Sequence, residues 1–225
     1  MRTSNYILIS FFVFLFGGIF ALFLAAKIDP RGSYHHGRST QEKALDNFSV
    51  VVAEQDANIR LITGETSKMV LNYSKEDSCS FPSYKVKDDT LFVGSNPPRN
   101  KYYQTEIWCK KISSIEGKTK SKINIEEFRF DSLMVRLNKT DFRYNGVKNS
   151  IGLSLKLIAN DSYIKIGNAV INNLDMSINH TQMDGWGNRI KNLSGKLNEK
   201  SRVSIDKIGK ISLESDSTSS YRLEK

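Results

Sequence analysis

The chain has 225 residues, 39% of them hydrophobic and 25% charged, a composition that excludes an intrinsically disordered protein. The formal net charge of +9 is compatible with anionic surroundings such as phospholipid, lipopolysaccharide or nucleic acid. Lys and Arg are nevertheless spread along the chain, which favours a protective role at strand edges, where charge prevents aggregation.

The N-terminus contains an uncharged apolar segment, residues 6–26, after a short tail of residues 1–5. At about 1.5 Å of rise per residue, this segment is long enough to cross the roughly 30 Å hydrocarbon core of a bilayer. It predicts a single transmembrane anchor. The alternative is a signal peptide cleaved near Ala25-Ala26, but cleaved signals usually have an apolar run of only about 7–15 residues. The flanking charges do not decide the orientation.

A polar stretch, residues 27–45, follows the apolar segment and is predicted to be a linker. It contains the adjacent pair His35-His36. Because no cysteine and few acidic residues lie nearby, a solvated tether is a better interpretation of this pair than a metal site. The remaining residues, 46–225, suit one domain with a single core.

The first part of this domain contains short alternating segments that predict β-strands. They are Phe48–Val52, Asn58–Leu61, Met69–Leu71, Leu91–Val93 and Ile107–Cys109. Residues 94–105 form a predicted loop, because Pro97-Pro98 cannot take part in regular strand pairing. Residues 112–130 have the pattern of a degenerate first coil, since Ile112 lies about one repeat before Leu133.

The second half of the chain is a repeat of about 20 residues in which apolar and polar residues alternate. Its units begin at Leu133, Leu153, Leu174, Leu193 and Ile211. Each unit has the pattern of a strand, a polar corner, a second short strand and a return. Only stacking on neighbouring units would bury its apolar edge. The gaps between strands are too short for the helical crossover of a βαβ unit.

We therefore predict an all-β fold, a single-stranded parallel β-solenoid with coils of about 20 residues, preceded by one transmembrane helix. Equivalent residues of successive coils would lie about 4.8 Å apart. The alternative is an antiparallel meander or sandwich with evenly spaced strands. In a solenoid, the corner residues Asn138, Asn179 and Asn198 would stack as an amide ladder.

The two cysteines, Cys79 and Cys109, are candidates for one disulfide if the domain lies in an oxidising compartment. The bond would close a loop of about 30 residues, which the chain-entropy model values at about 3–4 kcal/mol. Two unpaired thiols are the alternative. The spacing of these cysteines supports neither a zinc site nor a thioredoxin-like motif.

The order of these elements resembles the bacterial head GIN domain family, which is also named putative auto-transporter adhesin. The resemblance rests on the apolar N-terminus, the F-x-V-x-V strand at Phe48–Val52, the D-D-T-L-F-V strand at Asp88–Val93 and the coils that follow. It covers about residues 46–225. It implies an extracytoplasmic β-solenoid, tethered or exported, and supplies no catalytic residues. The corners are rich in Asn, Asp and Thr, whereas Gly and Ser are common in the family, so no shared ligand surface is implied.

The candidates for a binding surface are residues that depart from the rhythm of the repeat and lysines that cluster in the sequence. Two lie in the proline-containing loop, one at an interrupted corner and three in a lysine-rich segment: Tyr102, Tyr103, Trp186, Lys118, Lys120 and Lys122. The lysines would suit an anionic glycan or a lipid head group, or only a solvated edge. They lack interleaved aromatic residues, so nucleic acid is not a predicted partner.

No motif predicts an enzyme, a cofactor or a metal ion, because the sequence has neither a phosphate-binding glycine loop nor a G-x-S-x-G elbow. The best catalytic candidates are Asp141 and Asp161, expected at equivalent corners of adjacent coils. There they would form a carboxylate pair for acid–base chemistry or for Ca²⁺. Polar corner residues more often hydrogen-bond their own turns, and we favour that role.

The sequence thus predicts a membrane-anchored β-solenoid, periplasmic or exposed at the cell surface, that binds envelope glycan or protein in an adhesive or scaffolding role without catalysis. One alternative is a bactofilin-like solenoid that self-assembles end to end at a membrane. Another is a β-helix enzyme that processes polysaccharides.

Overall fold

The structure is a computed structural model, and it describes residues 14, 16, 38–74, 80–95, 104–147 and 152–223. Internal contacts divide the chain into residues 1–38 and residues 39–225. Apart from Phe14 and Phe16, the predicted anchor at residues 6–26 lies outside the described residues. Within the described part of the chain, no helix combines the length and the hydropathy that crossing a bilayer requires.

Short strands joined by tight corners make up the folded domain. In chain order, the described strands are β1 (Arg38–Ala44), β2 (Val50–Ala53), β3 (Asn58–Thr63), β4 (Lys68–Ser74), β5 (Tyr84–Lys87), β6 (Thr90–Val93), β7 (Thr105–Cys109), β8 (Ser114–Gly117), β9 (Lys122–Glu126), β10 (Ser132–Asn138), β11 (Asp141–Asn145), β12 (Leu153–Asn160), β13 (Tyr163–Gly167), β14 (Val170–Asn179), β15 (Gln182–Asn198), β16 (Arg202–Ser215) and β17 (Ser220–Leu223).

Six successive coils, from β8 to β17, stack in parallel, which confirms the predicted all-β parallel solenoid and shows that it has about six turns. The coils form two sheets. Sheet I contains β6, β2, β8, β10, β12, β14 and the second halves of β15 and β16. Sheet II contains β7, β3, β9, β11, β13, the first halves of β15 and β16, and β17.

The alternating pattern places one apolar row of each strand between the sheets. Val135 and Leu157 of sheet I and Ile125 and Ile166 of sheet II are fully buried in one continuous core. The register differs from the predicted one at one unit, because Leu133 pairs with Leu155 instead of Leu153. The alternation of inward and outward side chains survives this difference, since a shift of two residues keeps each side chain on its face.

The N-terminal strands do not stack in chain order. β2 lies between β6 and β8, and β3 lies between β7 and β9, so the first coil of the chain is inserted between two later ones. Beyond that coil, β4 pairs antiparallel with β7 and β5 pairs antiparallel with β6. β1 pairs with β4 and occupies part of the predicted linker, residues 27–45. Its sequence, RSTQEKA, lacks the apolar alternation from which a strand can be predicted.

Between β8 and β16, the five corners at which the chain passes from sheet I to sheet II follow one local rule. A residue with a left-handed backbone is followed by a buried residue with a small hydroxyl side chain. The left-handed residues are Lys120, Lys139, Asp161, His180 and Lys200, and the residues that follow them are Ser121, Thr140, Ser162, Thr181 and Ser201. We call the second set the hydroxyl ladder.

The hydroxyl ladder joins successive coils through side-chain to backbone hydrogen bonds. Thr140 N donates to Ser162 Oγ at 3.1 Å, Ser162 N to Thr181 Oγ1 at 3.2 Å, and Thr181 N to Ser201 Oγ at 3.3 Å. Each of these acceptor hydroxyls donates in turn to a carbonyl two or three residues upstream. The ladder therefore satisfies corner groups that would otherwise be buried without partners.

The predicted asparagine ladder is in register, since Asn138, Asn160, Asn179 and Asn198 align in successive coils. Asn179 Nδ2 donates to Asn160 Oδ1 at 3.1 Å. The hydroxyl ladder, which the repeat pattern alone does not predict, lies beside it and is more deeply buried.

Cys109 at the end of β7 and Tyr144 in β11 are both buried in the core. Burial raises the pKa of each side chain to about 12, from ordinary values of 9.0 and 10.0. Between about pH 9 and pH 12 the unfolded chain releases protons that the folded domain keeps, so stability falls as the pH rises. The predicted disulfide partner, Cys79, lies outside the described residues, and the Cys79–Cys109 bond stays a prediction.

For the reduced protein, we expect the free energy of unfolding to decrease steadily above pH 9, and Cys109→Ala to make that decrease shallower. The substitution also leaves a small cavity, which lowers stability equally at every pH. Urea unfolding followed by circular dichroism between pH 7 and pH 11 separates the two effects. An unchanged slope in the variant would show that the Cys109 thiol does not contribute to this pH dependence.

Candidate functional site

The outer face of sheet II carries a polar groove of about 250 Å³. Side chains from three neighbouring strands, β3, β9 and β11, and from the residue before β7 line it: Asn58, Gln104, Lys122, Asn124, Asp141 and Arg143. The parallel register explains how residues so distant in sequence meet, since Lys122 of β9 pairs with Asn58 of β3 on one side and Asp141 of β11 on the other. Outward positions of successive coils therefore form rows across the sheet.

Arg143 and Asp141 form the ordered charged pair of the groove. Arg143 donates from Nε to Asp141 Oδ1 at 3.2 Å and from Nη2 to Asp141 Oδ2 at 3.1 Å. The hydrogen bond to Asp141 raises the pKa of Arg143 further, so the guanidinium stays charged. The bidentate contact orients both groups, and their charges offset each other.

Lys122 gives the groove its excess positive charge. Within the described ranges, no carboxylate lies within ion-pair distance of its amine, and the acidic side chain in the adjacent strand, Asp141, is already held by Arg143. Arg60, in the neighbouring row, is held by Glu106 and Glu126. The groove thus offers amide groups, a carboxylate and one available ammonium group to a polar ligand.

Two aromatic residues extend this face beyond the groove. Tyr163 of β13 pairs with Asp141, and its hydroxyl donates to Asp184 Oδ2 at 2.8 Å, a bond that raises the pKa of the phenol. Trp186 is 44% exposed. It lies in β15, where the pairing of that strand with β13 ends. A Cβ atom on Gly167 would lie 2.4 Å from the Trp186 ring, so the indole needs a glycine in the adjacent strand.

The corner after Trp186 is where the repeat is irregular, as its sequence suggested. The pairing of β15 with β16 shifts register between Gly185 and Arg189. Gly187 has a left-handed backbone, and Asn188 is fully buried, donating to Ile166 O and accepting from Ala169 N, both at 2.9 Å. This buried amide anchors the corner, so the exposed indole is held on a rigid support.

Of the six predicted binding residues, Lys122 and Trp186 lie on the outer face of sheet II. Lys118 instead forms an ion pair with Glu54, with Nζ–Oε1 at 3.0 Å, and Lys120 is the left-handed residue of a corner. The lysine-rich segment therefore does not form one patch. Tyr102 and Tyr103 lie outside the described residues, directly before the groove residue Gln104.

The prediction that Asp141 and Asp161 occupy equivalent corners is wrong, and so the alternative of a carboxylate pair, which we did not favour, does not hold. Asp141 pairs with Tyr163 in the parallel register, whereas Asp161 is a left-handed corner residue, so the two lie two positions apart along the coil. Asp161 Oδ1 contacts His180 Nδ1 at 2.6 Å, the equivalent corner residue of the next coil. In the described ranges, no group of three His, Cys, Asp or Glu side chains has an arrangement that could hold a metal ion.

Comparison with known proteins identifies the fold of this chain. A crystal structure of a "putative adhesin" from Bacteroides fragilis matches with a TM-score of 0.60 and 15% identity, covering 83% of this chain and 96% of that chain. "Putative adhesins" from Parabacteroides merdae and Parabacteroides distasonis match with TM-scores of 0.48 and 0.46, at 13% and 12% identity. They cover 84% and 83% of this chain and 96% and 93% of theirs. No family model and no curated protein sequence matches.

Proposed function

We propose that this protein is a non-catalytic binding module of adhesion type at the bacterial cell envelope, and that the outer face of sheet II binds an acidic glycan. The observation that carries the proposal is that the polar groove, Tyr163 and Trp186 lie on the same outer face of sheet II. From β3 to β15 this face crosses five strands, or about 19 Å at 4.8 Å per step. That length suits several sugar units of an extended polymer.

The chemistry of the face suits sugars that carry carboxylates. Amide groups and the Arg143–Asp141 pair can exchange hydrogen bonds with hydroxyl groups, while Lys122 supplies the positive charge that a uronic acid would need. The exposed indole of Trp186 and the ring of Tyr163 offer flat apolar surfaces with polar edges. Such a shallow, open site favours multivalent contact over tight binding of one small molecule.

Two further considerations support an envelope location. The apolar segment at residues 6–26 predicts a membrane anchor, and the resemblance to the head GIN domain family implies a tethered or exported domain. The similar solved structure from Bacteroides fragilis has the name of an adhesin, and the similarity itself extends to the fold. A periplasmic or cell-surface domain follows from this proposal.

Oligogalacturonate, as an acidic probe, and maltooligosaccharide, as a neutral one, test the proposal in titration calorimetry with the full-length chain in detergent. We expect the acidic probe to bind, and Lys122→Ala and Trp186→Ala each to weaken binding at least about fivefold, as expected for loss of about 1 kcal/mol. Lys156→Ala, which removes a lysine from the outer face of sheet I, is the matched control. Equal effects of Lys122→Ala and Lys156→Ala, or no binding of the acidic probe, would contradict the proposal.

A further inference from the structure

The two ends of the solenoid differ in how their strand edges are covered. At the end formed by β6 and β7, the antiparallel strands β5 and β4 extend the sheets, and β1 pairs with β4. The outer strands are rich in polar and charged residues: β1 reads RSTQEKA and β5 reads YKVK. Charged edge strands resist the addition of further strands, so this end is protected.

The opposite end has no such cover in the described chain. The second half of β16 and the whole of β17 form the last coil, and no described strand pairs with their outer edges. Three of its apolar residues, Ile211, Tyr221 and Leu223, are 38%, 48% and 45% exposed.

These three exposed residues occupy inward positions of the coil. Their register partners in the preceding coil are Leu193, Val203 and Ile205, which are all buried in the core. Their exposure therefore comes from the free edge of the last described coil and not from side chains that point outward. Within the described residues, the cross-section of the core is open at this end.

The free edge of the last described coil is nevertheless preformed, because hydrogen bonds hold its corner in place. Its corner is closed by Asp216, whose carboxylate accepts hydrogen bonds from Glu199 N at 2.6 Å, Thr218 N at 3.0 Å and Ser219 N at 2.8 Å. These bonds hold the pKa of Asp216 well below its usual range. A second chain would thus meet a preformed edge and would not have to order it.

We propose that this open end binds a second copy of the same chain, tail to tail, about a two-fold axis perpendicular to sheet I at Ser212. The sequence of the free edge is self-complementary in this arrangement. Antiparallel pairing centred on Ser212 places Lys210 of one copy opposite Glu214 of the other, and Ile211 opposite Leu213. A one-residue slip would turn apolar residues toward solvent, so the register is specified.

The same axis joins the two cores. A two-fold axis normal to the sheet keeps inward positions inward, so Ile211 and Leu213 of both copies bury one another and sheet II meets its counterpart at β17. Because the charged β1 and β5 protect the other end, the contact closes as a dimer and does not continue into a filament. The structure thereby favours a closed pair over the bactofilin-like assembly considered from the sequence.

Cysteine crosslinking tests the axis directly. In Ser212→Cys, the new thiol lies beside its equivalent in the second copy, so mild oxidation should give a covalent dimer on non-reducing gels. Ser194→Cys is the matched control, because Ser194 is the register partner of Ser212 one coil further in. The unsubstituted protein, oxidised in the same way, measures any crosslink that forms through Cys79. Equal crosslinking of the two variants, or none in Ser212→Cys, would overturn the proposal.

Charge exchange tests the register. In light scattering of the full-length chain in detergent, Lys210→Glu and Glu214→Lys should each weaken the dimer at least tenfold, and the double variant should recover most of that loss. Glu214 also contacts Lys196 of its own chain at 2.9 Å, so recovery in the double variant shows that the contact between copies matters. Nonspecific association of chains that share a detergent micelle would not depend on these charge exchanges. A monomer throughout, or polymers larger than a dimer, would overturn the arrangement.

Discussion

Gly195→Ala is expected to lower the free energy of unfolding by about 2–4 kcal/mol, because the residue is confined in two independent ways. Its φ of +137° is a conformation that alanine rarely adopts, and a Cβ atom would lie 1.8 Å from Met176 O in the adjacent coil. The obstacle is backbone, so β14 and β15 would have to separate locally. Guanidinium unfolding followed by circular dichroism measures the loss.

The neighbouring substitution Ser194→Ala is the control for this experiment. Ser194 lies on the outer face of the same strand and should change stability by less than about 0.5 kcal/mol. A similar stability for the two variants would mean that the close approach of Gly195 to Met176 does not constrain the sequence at this position.

Thr181→Val is expected to cost about 1–3 kcal/mol, although it preserves the shape of the side chain. Thr181 Oγ1 accepts the hydrogen bond of Ser162 N at 3.2 Å and donates to Asn179 O at 2.8 Å. Valine would leave the buried Ser162 N–H without its acceptor, whereas Asn179 O keeps the bond from Asp161 N at 3.1 Å. The loss is therefore mainly the desolvation of one amide.

Thr90→Val makes the same chemical change at an exposed hydroxyl, which donates to Asp88 O at 3.2 Å. Water can replace that contact, so we expect an effect below about 0.5 kcal/mol in the same denaturation assay. If both threonines tolerate valine equally well, the hydroxyl ladder does not stabilise the stack of coils.

The periodicity of the sequence predicts the coils because each strand buries every second residue, and this signal is local. It cannot separate registers that differ by two residues, since both leave the same side chains inside. That ambiguity is why Leu153 was aligned with Leu133, the residue that pairs with Leu155. It is also why the sequence pattern places Asp141 and Asp161 at equivalent corners, although they lie two positions apart.

The groove and the order of the first coils depend on pairings between distant segments. Asn58 and Lys122 are adjacent only because β3 inserts beside β9, and no local pattern specifies that insertion. Lys122 could be selected from the sequence because it belongs to a lysine-rich segment, and Trp186 because it interrupts the repeat. Arg143 and Tyr163 could not, because each occupies an ordinary outward position in a regular strand.

The inserted coil has a mechanical consequence for a domain that is held from its N-terminal side. A load applied there first reaches β1, a polar edge strand that pairs only with β4 among the described strands and can peel away one bond at a time. Behind it, β2 and β3 are each clamped between two parallel neighbours. Extracting them requires many backbone hydrogen bonds to break in shear together. If the proposed N-terminal anchor carries tension, release of β1 would lengthen the connection to it by up to about 23 Å, at about 3.3 Å per residue, while sheet II stays intact.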